Sequence, residues 1–188
     1  MKYSNILIVI GAVIIIGCAA NELIPQSDGQ REHPDFVNSL YELYKEAREL
    51  LQNSIFQMEN EYYVTDTFGF RINPFTGAFG FSSSIHIDTK YNSKIFSITD
   101  GEVIEIGFND HMGYFVKIRY NDFEIEYGLF LWIIVNIGDT LSAGDIIGSG
   151  GHGGIASSFN NGIRIRINYK SNFLDPRLVL NFDENRRL

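Results

Sequence analysis

Two different periods divide the chain. Between residues 35 and 60, apolar side chains recur at Phe36, Leu40, Leu43, Ala47, Leu50, Leu51, Ile55 and Met58. Spacings of three and four gather them on one stripe, which predicts an amphipathic helix over 35–61. Pro34 suits its first turn. The spacing does not hold a heptad for long, which favours a helix packed on a neighbouring domain over a coiled-coil or partner-binding helix. After Tyr62 the texture changes: short Ile/Val/Phe runs alternate with Gly-containing turns, as in "SSIHIDT", "KIFSITDGEVIEIGF", "YFVKIRYNDFEIEYGLF" and "GIRIRINY". Strands of this length at regular spacing predict a mainly β chain, an antiparallel β-sandwich over 62–182 with a tail at 183–188.

"GIRIRINY" (162–169) raises a chemical question. On a strand, alternate side chains share a face, so Arg164 and Arg166 project side by side about 7 Å apart. They repel unless something anionic sits near them. One reading is a solvated face behind an Ile163, Ile165, Ile167 core stripe; the other is a pocket for an anion.

The N-terminus follows a third pattern. Lys2 precedes an apolar run from Ile6 to Ile16, ending in Ile15-Ile16-Gly17-Cys18. Eleven residues fall short of the roughly 20 that span a bilayer, but match a signal-peptide core. The ending resembles a bacterial lipobox, which implies a signal peptide at 1–17 and a lipid on Cys18. The other readings are a secretory signal with a chance cysteine and an uncleaved anchor. Residues 18–34 are polar, with two Pro and a Gly, and read as a tether. The localisation implied is the bacterial cell envelope, lipid-anchored and facing the periplasm or exterior. Cys18 is the only cysteine, so no intrachain disulfide forms.

Composition narrows the partners. The formal net charge of −8 becomes −9 once Lys2 leaves with the signal. Cationic residues are dispersed, apart from Arg186-Arg187, which argues against nucleic acid. Such a chain gains nothing from an anionic lipid surface by charge alone, so anchoring falls to the acyl chains.

Four stretches in order then resemble one family. These are "FGFRINPFTG" (68–77), "SITDGEVIEIGFNDHMGYFVKIRY" (97–120), "VNIGDTLSAGDIIGSGG" (135–151) and "LDPRLVL" (174–180). Together they are similar to the lysostaphin/LytM-type zinc endopeptidases, which cut peptide cross-bridges in peptidoglycan. The resemblance implies a LytM-type β fold and three motifs: His-x-Gly-x-Asp, Tyr-x-His and His-x-His. A zinc enzyme needs three protein ligands with one open position for water, and a neutral His nearby for protons or the oxyanion.

This chain departs from those motifs at four metal-ligand or catalytic positions. The first falls on Ser84-Ile85-His86-Ile87-Asp88, so the histidine ligand is Ser84 and the aspartate survives as Asp88. The second falls on Tyr127-Gly128-Leu129, putting Leu129 at a catalytic His. In the third, Arg164 stands at a catalytic His and Arg166 at a ligand His. Arginine stays cationic in proteins and opposes a divalent metal. No metal and no catalytic residue is therefore expected, and an Arg–Asp88 ion pair is expected in the metal's place.

The ligand groove implied is Asp88, Tyr127, Arg164 and Arg166; Tyr127 and the run from Gly128 to Trp132 read as core and groove wall rather than a dedicated ligand box. An alternative is an active zinc endopeptidase with a shifted site of His86, Asp88 and His152; each of these histidines, like His111, is otherwise a surface or hydrogen-bonded residue. "GDTLSAGD" also resembles the turn of biotinyl/lipoyl domains, but no lysine sits there to carry a cofactor. The functions left are a catalytically inactive envelope lipoprotein that binds wall peptide or regulates a separate hydrolase, the shifted-site enzyme, and a structural surface lipoprotein.

Overall fold

The computed structural model describes residues 33–52, 54, 56–72, 77, 79–151, 161–180 and 182. Cys18, the tether, His152 and the 183–188 tail lie outside them. The chain falls into two compact units, residues 1–46 and 47–188. Helix α1 spans His33–Leu50, so it opens two residues before the expected start at 35 and takes the last two residues of the expected tether. It stops well short of residue 61. Ala47 and Leu51 are buried, but Met58 forms a β-bridge with Ile95 instead of continuing the helix. Apolar residues spaced three or four apart fit either use, and strand pairing wins here. Asn53 and Ser54, which follow, favour turns over helix.

The second unit is antiparallel β throughout its named pairs. Its largest sheet has strands β1 (Tyr62–Asp66), β4 (Ile85–Thr89), β12 (Gly162–Tyr169), β8 (Phe123–Gly128), β7 (Gly113–Tyr120), β6 (Gly101–Asn109) and β10 (Thr140–Leu141), in that order. Strand β13 (Asn172–Leu174) adds to β12. A three-stranded sheet is ordered β5 (Lys94–Phe96), β11 (Ile146–Gly150), β9 (Phe130–Ile133). Strands β2 (Gly69–Ile72) and β3 (Phe79–Ser82) form a separate hairpin. A short helix, α2 (Pro176–Val179), closes the fold, its first turn capped by the Asp175 carboxylate.

Alternation builds the core. On β12, Ile163, Ile165, Ile167 and Tyr169 are buried, while Arg164, Arg166 and Asn168 occupy the other face. Ile85 and Ile87 of β4, Ile125 and Tyr127 of β8, and Val116 and Ile118 of β7 complete the apolar layer. Ile95, Ile147 and Phe130 supply the buried side of the smaller sheet. This layering is the mainly β sandwich expected from the sequence.

Candidate functional site

The polar face of the large sheet gathers the residues in question. Register sets Arg164 beside His86 on one side and Gly128 on the other. It sets Arg166 beside Glu126, Glu126 beside Lys117, and Lys117 beside Glu105. Four strands thus carry a row of alternating charge: Glu105, Lys117, Glu126, Arg166. Lys117 Nζ donates to Glu105 at 2.6 Å and Arg166 Nη1 to Glu126 at 3.1 Å. Burial works against the Lys117 charge, but the Glu105 hydrogen bond and the neighbouring carboxylates outweigh it and raise its pKa. The Arg166 guanidinium also lies over the Phe173 ring, 5.5 Å from its centroid.

The expected Arg–Asp88 ion pair does not form. Asp88 Oδ1 instead meets His86 Nε2 at 3.2 Å, two residues back on the same strand. An ionised carboxylate only accepts, so Nε2 carries the proton and donates. Burial lowers the His86 pKa, and the nearby Arg164 charge lowers it further; Asp88 offsets only part. His86 is therefore neutral at pH 7. In the unfolded chain it returns to about 6.5 and binds more protons than in the folded chain. Its contribution is present above that value and lost as pH falls through it. Urea midpoints of the wild type should drop between about pH 7 and pH 5, with a shallower drop in His86→Gln.

Arg164 donates to the backbone carbonyl of His111, in the turn between β6 and β7. That turn is shaped by Asn109, whose Oδ1 accepts from the His111 and Met112 amides. It lies close against β8: the Leu129 amide donates to Met112 O at 2.7 Å, and a Cβ on Gly128 would sit 2.5 Å from that oxygen. His111 is thereby carried to Ser84, with its Nε2 3.3 Å from the buried hydroxyl.

One groove assignment from the resemblance changes. Tyr127 is fully buried on the Ile165 side of the sheet, and its hydroxyl accepts from the Ile98 amide at 2.9 Å. Burial raises its pKa strongly. It is a core residue joining the two layers, not part of the polar face. Of the 128–132 run, Leu129 and Phe130 are core, whereas Trp132 is 67% exposed. Leu129 sits at φ 65°, a left-handed conformation that costs leucine about 1 kcal/mol or more. Asp88 opens on a pocket of about 570 Å³ beside the sheet edge, lined by Asn60, Glu61, Tyr63, Thr89, Lys90 and Asn161 as well.

The model of peptidase family M23 matches residues 80–176, more than half of the chain, and the chain belongs to that family. None of the curated proteins matches it. Among solved structures it is similar to Csd3 of Helicobacter pylori, at 20% identity and TM-score 0.54 over 68% of this chain; it spans only 36% of Csd3. The mutant catalytic domain of the prophage-encoded M23 protein EnpA of Enterococcus faecalis gives 20% identity and TM-score 0.54, covering 66% of this chain and 94% of that one. A chain of the SpoIIQ–SpoIIIAH pore-forming complex gives 17% and 0.54, covering 64% and 85%. At such identities the likeness is one of fold.

The zinc that the family implies does not fit the residues at its positions. Ser84 offers a hydroxyl, Leu129 nothing, and Arg164 and Arg166 fixed cations; Asp88 alone is a competent ligand. Among the described residues, no group of three His, Cys, Asp or Glu is placed to hold a metal. His86 and Asp88 of the shifted site do meet, but His152 lies outside the described residues.

Proposed function

We propose that this chain is a non-catalytic M23 module, carried on an envelope lipoprotein, that binds cell-wall peptide or regulates a separate wall hydrolase. The observation that carries it is the fate of the arginines. Arg166 stands where the resemblance puts a metal ligand, and its charge is spent on Glu126; Arg164, at a catalytic position, is bonded to the His111 carbonyl. A guanidinium built into the fold in this way neither ligates a metal nor shuttles a proton at neutral pH. The pocket beside Asp88 supports the binding role, since Lys90 and Asn161 offer donors to a peptide's carbonyls and Glu61 and Asp88 offer acceptors to its amides and amino groups. The N-terminal lipobox supports the envelope location.

The test is sedimentation of the full chain in mild detergent with purified peptidoglycan, with and without a chelator, followed by analysis of released fragments. Binding that ignores the chelator and releases no fragments is the expected outcome. Zinc-dependent release of cross-bridge fragments would overturn the reading in favour of a shifted-site peptidase.

A further inference from the structure

The β2–β3 hairpin pairs with no other strand among the described residues. Its register sets Phe70 opposite Phe81 and Ile72 opposite Phe79, so all four occupy one side. Ser82, at an alternating position, is buried. The apolar side faces outward: Phe70 and Phe81 are 50% exposed, Ile72 67% and Phe79 70%. The rings form a continuous array. Phe70 stacks on Phe79 at 5.2 Å and an interplanar angle of 7°, and meets Phe81 edge-on at 5.1 Å; Phe68 meets Phe81 edge-on at 5.2 Å. An exposed aromatic face on a two-stranded hairpin is a cost unless something covers it.

Two features point to a lipid surface as that cover. Residues 67–87 contain no acid in a chain of net charge −8, and Arg71 is their only Lys or Arg. The hairpin itself therefore carries no carboxylate, and its aromatic side chains suit the bilayer interface. The second feature is the chain that precedes the described residues. A lipid on Cys18 leaves residues 19–32 as tether, at most about 50 Å when fully extended. The start of α1 is then held within that distance of the bilayer. We infer that the β2–β3 hairpin beds its Phe70, Ile72, Phe79 and Phe81 face into the membrane to which the chain is anchored. The inference rests on the proposed lipid anchor and not on whether the polar face binds peptide.

Trp132 is the only tryptophan, on the exposed side of β9, and serves as an internal control. The full chain is reconstituted in phosphatidylethanolamine–phosphatidylglycerol vesicles as wild type and as Phe79→Trp with Trp132→Phe. Fluorescence is compared with and without brominated acyl chains. The Phe79→Trp variant should show blue-shifted emission and lose most of its intensity to bromine, while wild-type Trp132 loses little. Phe70→Trp with Trp132→Phe should behave as Phe79→Trp does, which guards against one variant failing to fold. Unquenched, red-shifted emission overturns the inference. Blue-shifted but unquenched emission also overturns it, because a protein surface then covers the hairpin. Equal quenching of Trp132 and the hairpin indoles overturns the assignment of this face.

Discussion

Replacing Glu126 with Gln should destabilise the domain by about 3 kcal/mol, because it leaves the Arg166 cation without its carboxylate in a poorly solvated place. The side chains of Arg166 and Glu126 are only 18% and 8% exposed, and their contact is 3.1 Å. Glu126 also favours the Lys117 charge beside it, but Lys117 keeps its contact with Glu105, so Arg166 is the cation left without a counterion. The amide of Gln keeps the volume and one acceptor, which holds the cost at the low end for a broken buried pair. Removing both charges is a different matter. Glu126→Leu with Arg166→Met replaces the pair by apolar groups of similar size, and should recover most of the loss. Urea unfolding of the three proteins gives the comparison. A single-variant cost below about 1 kcal/mol would show the pair to be an ordinary surface contact, and Arg166 to be free for a ligand.

Gly162→Ala should cost more, about 4 kcal/mol or beyond, enough to threaten folding of a domain with ordinary stability. Gly162 faces Asp88 across the β12–β4 pair. A Cβ there would lie 2.1 Å from the Ile87 carbonyl oxygen and 3.1 Å from His86 Nε2. Backbone oxygen cannot step aside as a flexible side chain can, so the two central strands would have to part. The same strands set Arg164 beside His86, and the polar face would lose its register with them. Gly138→Ala is the matched control. Its φ of 93° strains alanine, but nothing lies within 4 Å of the added Cβ. That variant should lose about 1–2 kcal/mol and stay folded. Soluble yield and thermal melting separate the two; equal behaviour would contradict the close β12–β4 approach.

The sheet was legible because period-two alternation is local. "GIRIRINY" assigns Ile163, Ile165 and Ile167 to the core and the arginines to the other face with no knowledge of neighbours. The same parity places Tyr127 with Ile125 in the core, whereas the motif resemblance alone puts it in the groove. Ion pairing was not legible. Whether Arg166 meets Asp88 or Glu126 depends on which strands neighbour β12 and in what register, and neither is written in a single strand. Glu126 and Lys117 carried a faint signal, as charges alternating with apolar residues on adjacent strands. The turn that brings His111 to Ser84 depends on a tertiary contact between Met112 and Gly128, which spacing along the chain does not reveal. The end of α1 was misread for a related reason: Met58 continues a helical period but is claimed by Ile95.

Zinc content reports most directly on what the arginines have done to the site. The full chain, expressed with zinc in the medium, purified in mild detergent and desalted, is analysed for metal per chain by mass spectrometry. Zinc close to zero per chain is expected, since Asp88 is the one ligand left at the family's three metal positions and two guanidiniums share its face. A value close to one zinc per chain, lost in Asp88→Ala, would contradict the replacement of the metal by the Arg164 and Arg166 network and return His86, Asp88 and His152 to the position of an active centre.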